Sequence, residues 1–279
     1  EIIKSIMDKK KVLFISQEIQ PFLPSSTISS IARKLPQGIQ ESGKEIRAFM
    51  PRFGCINERR HQLHEVIRLS GMNLIIDDID HPLIIKVASV PQAKIQVYFI
   101  DNDDFFKRKA TVTNSDGEDF EDNDERAMFF SRGVLETVKK LGWKPDIIHC
   151  HGWMSAFAVL YVKKLYANDP HFADVKIVYS VYDKDFNKNL NSRLTEKLNF
   201  DGFKPEDYNS IGTGSFLELN KMAMSLADGV IQGSETIHDE LSKFMESEIS
   251  VPTLEYFPEE NSVKPVDEFY DLLVGELVE

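Results

Sequence analysis

The chain has 279 residues, 42% of them apolar and 28% charged, enough to bury a large core, which excludes a disordered, collagen-like or coiled-coil protein. Asp and Glu outnumber Lys and Arg by 45 to 33, and the net charge of −12 repels phosphate backbones and anionic bilayers, so neither nucleic acid nor a membrane is an expected partner. Two cysteines, Cys55 and Cys150, support neither a disulfide framework nor structural zinc; no secretory leader is readable, and the longest apolar run, Ala156 to Val162, falls short of the roughly 20 residues of a spanning helix. One large cytoplasmic domain is the expectation.

Lys11-Val12-Leu13-Phe14-Ile15-Ser16 is a short apolar run, predicting a central strand buried on both faces. After a loop with Pro21 and Pro24, Ile28, Ile31, Leu35 and Ile39 recur at helical spacing, with Thr27 as cap, Gly43 as stop, and Pro36 predicting a kink or late start. Residues 45–50 give a second strand and close a right-handed strand-helix-strand unit. Short runs between residues 62 and 100 predict hairpins on an otherwise parallel sheet, with 95–100 a main strand. From Asp116 to Glu125 seven of ten residues are acidic, predicting a solvated, poorly ordered loop restrained by Arg126, ahead of a helix from about Asp124 to Leu141. An Asp122–Arg126 pair in a rigid loop would instead mark retained site architecture.

Strands at 146–150, 175–181 and 229–233 then alternate with helices at Trp153–Tyr166, Ser215–Ala227 and Glu235–Phe244, while Asp183–Asn199 reads as a mobile loop. Phe269, Leu272, Leu273 and Leu277 predict a final amphipathic helix within 266–279. The fold class is α/β: a Rossmann-like, doubly wound, mostly parallel sheet with helices on both faces. Its expected division is an N-terminal extension (1–10), a main domain (11–250) and a tail (251–279).

His149-Cys150-His151 lies at the C-terminal end of a predicted central strand, where open α/β sheets place their ligand crevice. Alternation sends both histidines to one side and Cys150 to the other. Contact with a sugar or phosphate, a satisfied structural role, and metal binding all remain open for the pair, although no carboxylate or thiolate cluster completes a zinc set. Gly212-Thr213-Gly214-Ser215 lacks the lysine of a Walker loop and the third glycine of a dinucleotide fingerprint, so it reads as a turn capping a helix. The acidic run lacks the EF-hand spacing of oxygen ligands. No metal or cofactor is implied.

Four stretches together resemble the N-terminal half of the bacterial glycogen and starch synthases, which extend α-1,4-glucans from ADP-glucose: Lys11 to Phe22; Leu35-Pro36 with Ile46 to Gly54; Asp122-Asn123-Asp124-Glu125-Arg126 through Phe130; and Leu141 to Trp153. Lys221 and Ala227-Asp228 add a further echo. The resemblance implies one half of a GT-B fold, with His151, Asp122, Lys221 and Tyr182 as sugar-site or donor-site remnants. It also exposes departures. Where that family has Lys-x-Gly-Gly-Leu-x-Asp to meet the donor phosphates, this chain has Pro24, Ser25, Ser26, Thr27, Ile28, Ser29 and Ser30; the changes at Pro24, Ser26, Thr27 and Ser30 remove a cation and two glycines that permit close backbone approach. The aspartate of His-x-His-Asp-Trp is Gly152, and Ile-His-Asn at the next strand end is Val181-Tyr182-Asp183.

The sequence stops near where the second domain of such an enzyme would begin, so the favoured expectation is a degenerate domain without transferase activity of its own, retaining α-glucan or ADP-glucose binding or a regulatory role. The alternatives are an active half completed by a second domain or partner chain, and a protein-interaction module presenting its cleft face to a protein partner.

Overall fold

Lys11–Ser16 (β1) is buried at every position after Lys11, as an apolar run without alternation requires of a strand covered on both faces. The computed structural model describes residues 9–275. After β1 come α1 (Thr27–Glu41), β2 (Glu45–Pro51), α2 (Glu58–His61), β3 (His64–Glu65), β4 (Asn73–Ile76), β5 (Ile79–Pro82), β6 (Ile84–Val90), β7 (Ile95–Asp101), α3 (Asp103–Phe106) and α4 (Asn123–Lys140). The second half holds β8 (Ile147–His151), α5 (Ala156–Leu160), β9 (Lys176–Val181), α6 (Leu194–Phe200), α7 (Pro205–Tyr208), α8 (Phe216–Leu226), β10 (Gly229–Gln232), α9 (Asp239–Ser247), β11 (Thr253–Leu254) and α10 (Val263–Val274).

The main sheet has the order β11-β10-β9-β8-β1-β2-β7-β6-β3. Pairing is parallel from β11 through β7, and β6 and β3 add an antiparallel edge. The strand order reverses between β1 and β8, so connections leave the sheet in opposite directions there and open a crevice beyond the strand ends. α1 packs on β1, β2 and α10; α4 packs on β2, β7 and α5; α5 packs on β8, β9 and α8.

Four local expectations change. The α1 N-cap is Ser26, not Thr27: Ser26 Oγ accepts from Ser29 N (3.0 Å) and Ser29 Oγ from Ser26 N (2.8 Å), and the helix runs through Pro36. α9 begins at Asp239 rather than Glu235, because Gln232 Nε2 donates to the Ser234 and Glu235 carbonyls and Ser234 Oγ to that of Thr236, which commits those carbonyls to a loop. The stretch 183–199 is not wholly loop: it contains most of α6, whose buried Lys197 donates to Asp124 (2.8 Å) and Glu125 (3.2 Å).

The acidic run is likewise tied down. Asp119 Oδ2 accepts the Asn187 and Lys188 amides at 2.7 and 2.8 Å, and Asp122 pairs with Arg108 through both oxygens at 2.8 and 2.7 Å. The Arg126 guanidinium does not pair with the Asp122 carboxylate; it is buried and donates to the Phe105 and Thr111 carbonyls and to Asn123 Oδ1. Only Asp116, Glu118 and Glu121 stay exposed. Unpaired burial would cost several kcal/mol per carboxylate, which is why each inward-facing one has found a donor.

The tail folds back on the domain. α10 buries Val266, Phe269 and Tyr270, and Lys44 ties it to the end of α1 through Asp267 (2.6 Å) and Asp271 (2.8 Å). Leu272 faces outward, Leu277 lies outside the described residues, and so does the expected N-terminal extension apart from Lys9 and Lys10.

Candidate functional site

Parallel register sets Ser16 of β1 beside His151 of β8, and His151 beside Ser180 of β9. Phe14, His149 and His151 share one face: the two imidazole centroids are 3.9 Å apart, and the Phe14 ring lies 5.9 and 6.2 Å from them. Cys150 is buried on the other face, and burial raises its thiol above the ordinary range.

The two histidines have different partners. His149 Nδ1 lies 2.5 Å from the Tyr270 hydroxyl, and its Nε2 lies 2.6 Å from Ser180 Oγ. His151 Nδ1 lies 2.6 Å from the Tyr182 hydroxyl, whereas His151 Nε2 is buried without a hydrogen-bond partner among the described residues. Burial holds both imidazoles neutral: His151 falls to about 3, and His149 is pushed well below its ordinary value by burial and then by His151. The cavity they share with Ser180, Tyr182, Gly233 and Phe257 encloses about 20 Å³, room for one water molecule.

Beside this narrow crevice run wider grooves. Glu18, two residues past β1, is bound by Lys184 Nζ at one carboxylate oxygen and accepts from Ser26 Oγ at the other (2.8 Å). Glu18, Ser25, Ser26, Thr111, Thr113 and Lys184 line a groove of about 450 Å³. It continues past Pro24 and Cys55 toward Gln20, Asn57, Arg60 and His61. On the other flank Ser26, Thr27 and Ser30 face Tyr256, Phe257 and Glu259 across a space of about 260 Å³.

The structure thus brings together His151, Tyr182, Pro24, Ser26, Thr27 and Ser30 at the C-terminal ends of the central strands. Asp122 stands at the start of α4, held by Arg108. Lys221 projects from α8, 3.3 Å from Glu240 and above the Phe244 ring, and lines none of these spaces. Gly152, at the aspartate position of the resembled motif, has φ +86°, and a Cβ there would lie 2.4 Å from Gln17 Oε1; the Gln17 carboxamide, which accepts from Met154 N, fills that volume. In the 212–215 turn, Glu218 accepts from Thr213 N, Thr213 Oγ1 and Ser215 N, so a carboxylate already occupies the amide nest. Lys184, Ser180 and Tyr270 carry no mark in the sequence, whereas Glu18 stands in the Lys11 to Phe22 stretch that carries the resemblance.

Among the described residues no group of three or more His, Cys, Asp or Glu is placed to hold a metal ion, and no helix is long and apolar enough to cross a membrane. The family model described as the starch synthase catalytic domain matches residues 11–251. The chain belongs to that family. Glycogen synthase of Chlorobium limicola is 42% identical over 174 residues, 62% of this chain and 36% of that protein. Glycogen synthase of Pelodictyon phaeoclathratiforme is 34% identical over 244 residues, 84% of this chain and 48% of that protein. The chain therefore spans about half, or less, of the curated relatives it matches. Among solved structures, the catalytic domain of starch synthase IV from Arabidopsis thaliana, bound to ADP and acarbose, has a TM-score of 0.71 at 19% identity, over 91% of this chain and 53% of that one. The starch synthase fold accounts for the doubly wound sheet.

Proposed function

We propose that this starch synthase-family chain binds α-glucan but does not by itself transfer glucose from ADP-glucose. The observation that carries the reading is the contrast between the two spaces at the strand ends: the His151 crevice, at about 20 Å³, is far too small for a pyranose, while the groove along Pro24 and Ser25 is wide and lined by hydroxyls and charged groups. Neutral sugar hydroxyls suit such a lining; a diphosphate does not. Lys184 is already neutralised by Glu18, and the Ser26–Ser29 cap takes the Ser26 and Ser29 amides at the start of α1. The working unit joins residues 251–275 to residues 11–250, since Tyr270 bonds His149.

The test is isothermal titration of the chain with maltoheptaose and with ADP-glucose, alongside incorporation of labelled glucose into glycogen. Maltoheptaose binding without ADP-glucose binding or incorporation is expected, and sustained incorporation by the chain alone refutes the proposal. A second reading, an active half that needs another domain, draws on the 34% identity to a glycogen synthase over most of the chain. Turnover that appears only on mixing with the isolated second domain of an active relative would favour it.

A further inference from the structure

The negative charge of this chain is concentrated in its last sixth. Residues 235–279 hold 13 of the 45 Asp and Glu but two of the 33 Lys and Arg, Lys243 and Lys264, so they carry −11 of the net −12. The fold gathers this segment at one end of the main sheet: β11 is the end strand beside β10, α10 sets Phe269 and Leu273 against Gly229 of β10, and α9 packs on α8. Glu246, Glu248, Glu255, Glu259 and Glu260, on either side of β11, are exposed, and none has an ion-pair partner among the described residues. Nearby lysines are engaged elsewhere: Lys221 with Glu240, Lys264 with Glu268, and Lys44 with Asp267 and Asp271.

β11 leaves one side free. The Pro252 carbonyl accepts from Val230 N at 3.1 Å, and Thr253 lies opposite Val230, so ladder alternation turns the Thr253 amide and carbonyl away from β10. No strand among the described residues pairs with that side. Directly after β11, Tyr256, Phe257, Glu259 and Glu260 form one wall of the cleft of about 260 Å³ whose other wall is the start of α1. Charge and proline beside an edge strand guard it against stray pairing. A rim of a single sign also selects, because it repels an acidic strand and attracts a basic one.

We propose that the free edge of β11 and the cleft beyond it form a docking surface for an extended, lysine- or arginine-rich segment of a partner protein. The segment's backbone pairs with Thr253, its cationic side chains meet the rim carboxylates, and one of them enters the cleft against the Tyr256 and Phe257 rings. A second copy of this chain does not offer such a strand: Arg59-Arg60 lie in α2, and Arg108 is held by Asp122. The proposal does not draw on the glucan reading.

The experiment titrates the chain by calorimetry with two short synthetic peptides, one alternating lysine and threonine, the other glutamate and threonine. Wild type is expected to bind the lysine peptide, less tightly as NaCl is raised, and not the glutamate peptide. Thr253→Pro removes an outward amide and leaves the ladder to β10 in place, and it should weaken binding at least tenfold. Combined Glu255→Gln, Glu259→Gln and Glu260→Gln should do the same. Absence of lysine-peptide binding overturns the proposal, and so does equal binding by wild type and Thr253→Pro, which would leave charge attraction without strand pairing. If Thr253→Pro does not fold, wild type is titrated with the lysine peptide N-methylated at its backbone amides, under the same criterion. Self-association of the chain alone in sedimentation equilibrium, lost in Thr253→Pro, would give the edge to a second copy and overturn the assignment to a partner.

Discussion

Acid should unfold this protein early, and two buried imidazoles set the scale. His149 and His151 are held neutral by burial, with His151 lowered to about 3, while an unfolded chain protonates histidine near 6.5. The unfolded state then binds more protons below about pH 6.5, so stability is full above that pH and falls as the pH drops toward the folded values. By linkage each histidine costs about 2 kcal/mol at pH 5, and the pair about 4 kcal/mol. Glu255, exposed at the rim, is the one carboxylate on the cavity wall, so no buried counter-charge there offsets the loss. Asp124, Glu125 and Asp201, raised by burial, act in the opposite direction, as does any other carboxyl raised on folding. Those contributions cancel when two proteins are compared. Between pH 7.5 and 5.0 the unfolding free energy from urea titration should therefore fall by about 2 kcal/mol more for wild type than for His151→Gln. Parallel curves for the two proteins would refute the assignment of His151 as a buried neutral imidazole.

Three further outcomes are expected. Lys197→Met should cost about 3–5 kcal/mol in urea unfolding, because it strands the buried Asp124 carboxylate, and adding Asp124→Asn should recover part of that loss. Gly54→Ala should cost about 3 kcal/mol, since its Cβ would sit 2.2 Å from the Arg108 carbonyl oxygen and backbone on that side cannot swing away as a side chain could; unchanged thermal unfolding would contradict this. Replacing Pro24 by Lys with Ser26 and Thr27 by Gly should add about 1.5–3 kcal/mol of ADP affinity in calorimetry through one charge-assisted contact, yet leave glucose incorporation absent, because ground-state binding does not raise turnover.

The sequence carried the sheet because buried parallel strands are continuous apolar runs, and β1, β2, β7, β8, β9 and β10 all fall within a residue or two of their expected bounds. It carried the shared face of His149 and His151 because a period of two is local. What it could not carry was pairing at a distance. Tyr270 meets His149 across 121 residues and Lys184 meets Glu18 across 166, and neither side chain differs in sequence from an ordinary tail tyrosine or loop lysine. The acidic run misled for the same reason: a block of carboxylates looks solvated until Arg108, Lys197 and the 187–188 amides arrive from elsewhere.

The places in this domain shaped for a ligand's polar groups are filled from within. Glu218 sits in the amide nest at 212–215, Gln17 fills the space beside Gly152, Glu18 neutralises Lys184, and Tyr182 covers His151. Gln17 and Tyr182 satisfy groups that would otherwise be buried unpaired, the Met154 amide and His151 Nδ1, so there the fold gains stability by the same contacts that close the site. A ligand arriving at any of them exchanges one hydrogen bond for another instead of adding one, and it competes with a tethered group whose effective concentration is high. That competition is absent along Gln20–Ser25, where the groove is open. Recognition in this chain is therefore expected at the groove, with the strand-end crevice silent until its internal occupant is removed.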